Sequence, residues 1–136
     1  MTSIIPSKTP GFITKMFPQF VWNVETTEKV IYLTFDDGPT SRVTPWVLET
    51  LAEFNAKATF FCIGNNIEKD PELFKEVIRS GHAVGNHTFN HLKGWKTKTK
   101  KYLKDVKQSQ FIMQKHLSTY PEYNYLEKEQ PLFRPP

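Results

Sequence analysis

A single cysteine, Cys62, occurs in the 136 residues, so neither an internal disulfide nor a cysteine-built metal site is available. No stretch approaches the roughly 18 consecutive apolar residues of a membrane span. The opening, MTSIIPSKTPGFITK, has neither a basic start nor the apolar run of about 7–15 residues that marks a secretory leader, and no leader is expected. Internal repeats and low-complexity tracts are absent too. What is present suits one globular domain: 38% hydrophobic residues, 24% charged residues, and an aromatic set of 11 Phe, 5 Tyr and 3 Trp, enough to bury a core. Eighteen basic against fourteen acidic residues leave a net charge of +4, a mild excess that by itself names no partner.

The chain reads as an alternation of strands and helices. Residues up to about 18, with Pro6, Pro10, Gly11 and Pro18, read as an arm, and 20–24 as a short strand. Residues 29–35 (KVIYLTF) form a nearly continuous apolar run stopped by Asp36-Asp37-Gly38-Pro39, the pattern of a strand buried on both faces. Thr44 as N-cap and Pro45 at the first position open a helix with Val47, Leu51 and Phe54 on one face. Residues 57–63 (KATFFCI) predict a second buried strand, ended by Gly64. Asp70 and Pro71 open another helix, with Leu73, Phe74, Val77 and Ile78 inward and Gly81 closing it. A third strand is expected at 82–86. A longer helix is expected at 99–117, its stripe formed by Leu103, Val106, Gln110, Met113 and Leu117. This order predicts an α/β fold with a parallel sheet or barrel, in which chemistry gathers at the C-terminal ends of strands. After a polar loop at 118–131, residues 132–136 begin like another strand end. Too few strands precede it to close a barrel, so the chain is expected to be a fragment of a longer protein.

Two clusters fall at predicted strand ends. Asp36 and Asp37 are adjacent carboxylates, costly in low dielectric if idle, and strand alternation sends neighbouring side chains apart, one toward a cation and one toward substrate or water. Asp-Gly-Pro is equally ordinary turn chemistry. His87 and His91 are spaced i and i+4, which on a helical turn would let both rings reach one ion. A histidine pair with this spacing also occurs on surface loops without function. Both clusters together, each after a core strand, favour a metal site in which Asp37, His87 and His91 leave positions open for catalysis.

Thr34-Phe35-Asp36-Asp37-Gly38-Pro39, His87-Thr88-Phe89-Asn90-His91 and Arg134-Pro135-Pro136 resemble, in order, the first three motifs of polysaccharide deacetylases, the family-4 carbohydrate esterases or NodB-homology domains. The likeness runs from about Val30 to the end and includes Ala58-Thr59-Phe60-Phe61 and residues 81–87. It implies a partial, irregular (β/α) barrel cut after the third motif, with residues 1–28 as an arm and short strand and 29–136 as the N-terminal portion of the domain. It further implies removal of N-acetyl groups from chitin-like or peptidoglycan-like glycans. By the resemblance, Asp36 is the general base, Asp37, His87 and His91 are the metal ligands, and Arg134 orients Asp36. Thr88 buttresses the histidine loop. The implied cofactor is a divalent metal ion, zinc first among candidates that include cobalt, nickel, iron and manganese. The family's late histidine, which protonates the leaving amine, has no counterpart here. His82 and His116 do not match it, so this chain alone is expected to be inactive or impaired. The alternative is a non-catalytic member that binds glycan or metal.

Other signals are weaker. Lys93, Lys96, Lys98, Lys100, Lys101, Lys104 and Lys107 are read as a solvated helix face, and no nucleic-acid partner is expected. Cys62 is read as a small buried hydrophobe. Trp95, soon after His91, is a candidate for stacking on a sugar ring, and Tyr120, Tyr123 and Tyr125 are candidates for the border of a groove. The compartment is not indicated, although the family often acts at the cell envelope.

Overall fold

The structure is a computed structural model that describes residues 9–19, 22, 26–118, 120 and 131–136. The strand expected at 20–24, apart from Trp22, lies outside the described residues, as do Tyr123 and Tyr125. The chain divides into two compact units, Met1–Ile31 and Tyr32–Pro136. In the first, the expected arm contains a short helix, α1 (Gly11–Met16), with no buried residue, and the Trp22 indole N–H donates to the Phe17 carbonyl at 2.8 Å.

The second unit is built on three parallel strands, β1 (Leu33–Gly38), β2 (Ala58–Cys62) and β3 (Ala83–Asn86), in sheet order β1-β2-β3. The expectation of a first strand buried on both faces is corrected. Tyr32 is 70% exposed, and β1 itself alternates between half-buried and exposed until Gly38. Pairing explains where it starts. β2 begins at Ala58, which lies opposite Leu33, so earlier residues have no strand partner there. At the far end Asp36 pairs with Phe61 and Gly38 with Cys62, so Asp37 is skipped as a bulge. β3 continues outward: the Asn86 N–H donates to the Leu132 carbonyl at 2.8 Å and the Arg134 N–H to the Asn86 carbonyl at 3.0 Å. The last residues therefore run parallel to β3 in a fourth sheet position.

Among the described residues, four α-helices connect and cover the sheet: α2 (Thr44–Glu53), α3 (Gly64–Lys69), α4 (Pro71–Arg79) and α5 (Thr99–Leu117). Thr44 is the first helical residue of α2 rather than its cap. Its hydroxyl accepts from the Thr40 N–H at 2.8 Å, which closes the preceding turn. Val47, Leu48 and Leu51 are buried, while Phe54 is left 76% exposed just past the helix end. α4 follows its sequence signals. The Asp70 carboxylate accepts from the Leu73 N–H at 3.1 Å, Leu73, Phe74, Val77 and Ile78 are buried, and Gly81 turns the chain at φ 76°. α3 was not anticipated, because Gly64-Asn65-Asn66 carries turn residues rather than a helical stripe.

α5 has the expected bounds but is rotated. Leu103 is exposed and Val106 and Gln110 are half-buried, whereas Asp105, Ser109, Ile112, Met113 and Leu117 face inward. Two polar residues on the inner face have structural reasons. Ser109 is small enough to admit Gly64, where an added Cβ would stand 3.0 Å from the Ser109 Cα and 2.6 Å from the Phe89 ring. Asp105 receives hydrogen bonds from the loop after β3.

The core joins Phe60, Cys62, Ile67, Phe74, Val77, Ile78, Val84 and Met113, with Phe35 stacked on Phe60 at 5.1 Å. Cys62 is fully buried, and burial pushes its thiol up to about 12, which keeps it protonated and inert. Among the described residues, no helix is long and apolar enough to cross a membrane.

Candidate active site

Two strand ends and one loop make the site. At the end of β1, the bulge holds Asp37 at φ 67°, and the Asn66 side-chain amide donates to the Asp37 carbonyl at 2.8 Å. Left-handed backbone is unfavourable for a residue other than glycine and needs such support. Asp36, one position earlier, is engaged elsewhere: Nη1 of Arg134 donates to its Oδ1 at 2.8 Å and to the Thr34 hydroxyl at 3.0 Å. The Arg134 guanidinium also lies 4.1 Å from the centroid of the Phe61 ring, a cation–π contact that fixes its plane.

The segment 87–91 is not the helical turn expected from the i, i+4 spacing. Thr88 (φ 67°) and His91 (φ 55°) are left-handed, and the backbone bonds of the segment leave it for its neighbours. The His87 N–H donates to the Cys62 carbonyl at 3.0 Å; the Thr88 and Phe89 carbonyls accept from the Gly64 and Asn65 N–H groups at 2.9 and 3.1 Å. The Thr88 N–H donates to the Asn86 side-chain oxygen at 2.8 Å, while the Asn86 amide donates to the Val106 carbonyl of α5. One carboxylate oxygen of Asp105 accepts the N–H groups of both Phe89 and Asn90, at 2.8 and 2.9 Å, and its other oxygen accepts the Asn90 side-chain amide.

This loop brings both imidazoles to Asp37. Nε2 of His87 lies 3.4 Å and Nε2 of His91 3.0 Å from Asp37 Oδ1, and one donor atom from each of the three lies within 4.8 Å of the others. Nδ1 of His87 is 2.8 Å from the Arg134 carbonyl. A carbonyl only accepts, so Nδ1 carries the hydrogen, and in the neutral ring the Nε2 lone pair is left toward Asp37. Two imidazole nitrogens and a carboxylate oxygen, one nitrogen already oriented by an outer hydrogen bond, suit a divalent cation such as zinc and could hold one. The side chain of His87 is only 4% exposed, against 39% for His91 and 65% for Asp37, so the cluster is open on its Asp37 side. A cavity of about 270 Å³ adjoins that side, lined by Phe35, Asp36, Asp37, Val43, Val47 and Phe60.

The structure thus brings together Asp36, Asp37, His87, His91 and Arg134. Trp95 stands 73% exposed on the short turn Gly94–Lys96. Thr88 is completely buried, but it supports the loop through its backbone; its hydroxyl has no hydrogen-bond partner among the described residues. Tyr120 is half-buried and packs against the core, and the seven lysines between 93 and 107 are all exposed. His82, 3% exposed, accepts from the Ala58 N–H through Nδ1 and tilts against Phe60, away from this chemistry. Sequence reasoning missed Asn66, Asn86 and Asp105. The signal for Asp105 was its spacing from Ser109, Ile112 and Met113, which places it on the same helix face.

The profile of the polysaccharide deacetylase family matches residues 23–136. A peptidoglycan-N-acetylglucosamine deacetylase of Bacillus cereus is 40% identical over 115 residues, covering 85% of this chain and 49% of its own length. A chitooligosaccharide deacetylase of Azorhizobium caulinodans is 52% identical over 61 residues, covering 45% of this chain and 29% of its own. Among solved structures, the peptidoglycan deacetylase PdaC of Bacillus subtilis superposes with a TM-score of 0.68 at 31% identity, over 83% of this chain and 52% of that one. The chain spans about half the length of relatives such as the first and third.

Proposed function

The chain belongs to the polysaccharide deacetylase family, and from that premise we propose that it carries the base and metal site of a hydrolase that removes N-acetyl groups from glycans containing N-acetylglucosamine. The observation that supports this most is the convergence of Asp37, His87 and His91 beside an Asp36 held by arginine. The activities named for the Bacillus cereus and Azorhizobium relatives point to the same bond.

In this reading Asp37, His87 and His91 hold one divalent ion, zinc first among the candidates. Such an ion supplies a water acidified from a pKa of 15.7 toward roughly 7 and an electrophile for the acetyl carbonyl. Asp36 is the general base. Arg134 occupies its Oδ1 at 2.8 Å, which leaves Oδ2 to receive the proton of the attacking water. The guanidinium stays charged throughout and holds the carboxylate in place. The water oxygen bonds to the acetyl carbon, the C–N bond breaks, and acetate and the free amine result. Protonation of the departing amine is a role we assign to none of the described residues. The apolar wall of Phe35, Val43 and Val47 beside Asp36 and Asp37 lowers the dielectric next to the reacting groups.

The test is acetate release from an N-acetylglucosamine oligomer with and without added Zn²⁺, in wild type and Asp36→Asn. Release that needs both the metal and Asp36 supports the reading. Release that survives Asp36→Asn contradicts the base assignment.

A further inference from the structure

We propose that Asp105 is a positioning residue for the metal site: by clamping the histidine loop from α5, it sets the affinity of the Asp37–His87–His91 grouping for its cation. The inference rests on the metal-site reading above and adds a residue from outside the motifs that carry the resemblance. Asp105 is 5% exposed, and no lysine, arginine or histidine forms an ion pair with it among the described residues. A carboxylate so placed is costly unless hydrogen bonds compensate it. Among the described residues its hydrogen bonds run to one place, two residues between the histidines: Phe89 N–H at 2.8 Å, Asn90 N–H at 2.9 Å and the Asn90 side-chain amide at 2.6 Å. The seven nearby lysines are exposed and leave this charge to the loop.

The loop needs an external clamp. Thr88 and His91, on either side of the clamped pair, are left-handed, and the segment has no helix of its own to satisfy the N–H groups of Phe89 and Asn90. Two adjacent N–H groups aimed at one oxygen fix the local backbone, and with it the direction in which His91 leaves the loop. The other end of the clamp is rigid, since α5 is anchored in the core by Ile112, Met113 and Leu117. A neutral side chain of the same length cannot accept all three bonds, which accounts for a carboxylate at this buried position.

The experiment is competition for Zn²⁺ between the 136-residue chain and a chromogenic chelator, alongside thermal melting. Outer groups that orient metal ligands typically change affinity by roughly ten- to a hundredfold. Asp105→Ala is expected to lose about that much. Asp105→Asn, which keeps one oxygen for the two backbone N–H groups, is expected to stay within about threefold of wild type. Ile78→Ala, a cavity on α4, which takes no part in the clamp, is expected to lower the melting temperature while leaving Zn²⁺ affinity unchanged. Should Asp105→Ala not fold, Asn90→Ala carries the test: it removes one bond from the exposed side and is expected to lose about threefold. Equal affinity in Asp105→Ala and wild type, or unchanged affinity in Asn90→Ala where that variant replaces it, overturns the proposal. So does a loss in Ile78→Ala as large as in Asp105→Ala, which would make the effect one of general stability. If wild type binds Zn²⁺ and only the Asp105 outcome fails, the metal-site reading stands; if wild type binds none, both fall.

Discussion

The two halves of the site are built differently. At the end of β1, Asp36 and Asp37 stand on an outer strand with one paired neighbour, their side chains 39% and 65% exposed, secured by Arg134 and Asn66. The histidine loop is buried at His87, Thr88 and Phe89, emerges at Asn90 and His91, and is tied to β2, α3, β3, α5 and the Arg134 carbonyl. One half reaches into the core, and the other opens toward solvent. Arg134 joins them, its guanidinium on Asp36 and its carbonyl on His87. The ligand that closes the cluster is therefore also the most exposed, and altering either half should have separable consequences.

The largest effect should come from the open half. In any form of the protein that releases acetate, Asp36→Asn should cut turnover by about 10²–10⁴, the usual contribution of a general base, with Zn²⁺ affinity within about twofold of wild type. Parallel loss of metal would merge two roles that the geometry separates. Next come the proposed ligands. Asp37→Ala and His87→Ala should each abolish tight Zn²⁺ binding, yet His87→Ala should destabilise the metal-free fold more, by roughly 1–3 kcal/mol, because it removes a buried ring and the hydrogen bond to the Arg134 carbonyl. Denaturation of the two metal-free variants checks this, and equal stabilities would erase the distinction between the halves. Gly64→Ala probes the buried half from behind. Its Cβ would meet the Phe89 ring at 2.6 Å and the Ser109 backbone at 3.0 Å, so a loss of about 1–3 kcal/mol is expected, with weakened Zn²⁺ binding as the loop shifts.

The smallest effect concerns pH and a buried histidine outside the site. Burial, then the nearby Lys57 charge, holds His82 below its ordinary value near 6.5. The unfolded chain thus binds this proton more readily than the folded one. The stability from neutral His82 is complete above about pH 6.5 and is lost as pH falls below it. Metal-free melting temperatures between pH 7.5 and 5 should fall, and His82→Gln should flatten the slope; an unchanged slope would remove His82 from the account.

Much of this was legible in the sequence because local chemistry and tertiary need coincide. Asp70, Pro71 and the 73-74-77-78 stripe specify α4, and the alternation of elements predicts the parallel order. The misses share one cause: partners distant in sequence decided them. Residues 29–32 look like a buried strand, but β2 begins too late to pair with them. In α5 the apolar periodicity runs through Leu103, Val106, Met113 and Leu117, whereas the helix turns its Asp105 and Ser109 toward Phe89 and Gly64. At the site, residue types and spacing indicated which side chains meet, but not how. Convergence of the histidines comes from left-handed backbone at Thr88 and His91 rather than from helical geometry, and periodicity cannot reveal a loop held by outside bonds.

The most direct measurement is a titration of the metal-free chain with Co²⁺, followed by its visible absorption, in wild type, Asp37→Ala, His87→Ala and His91→Ala. The account predicts saturation at one ion per chain in wild type and no tight binding in any of the three variants. Binding at another stoichiometry, or a spectrum unchanged by replacing any of these residues, would contradict it.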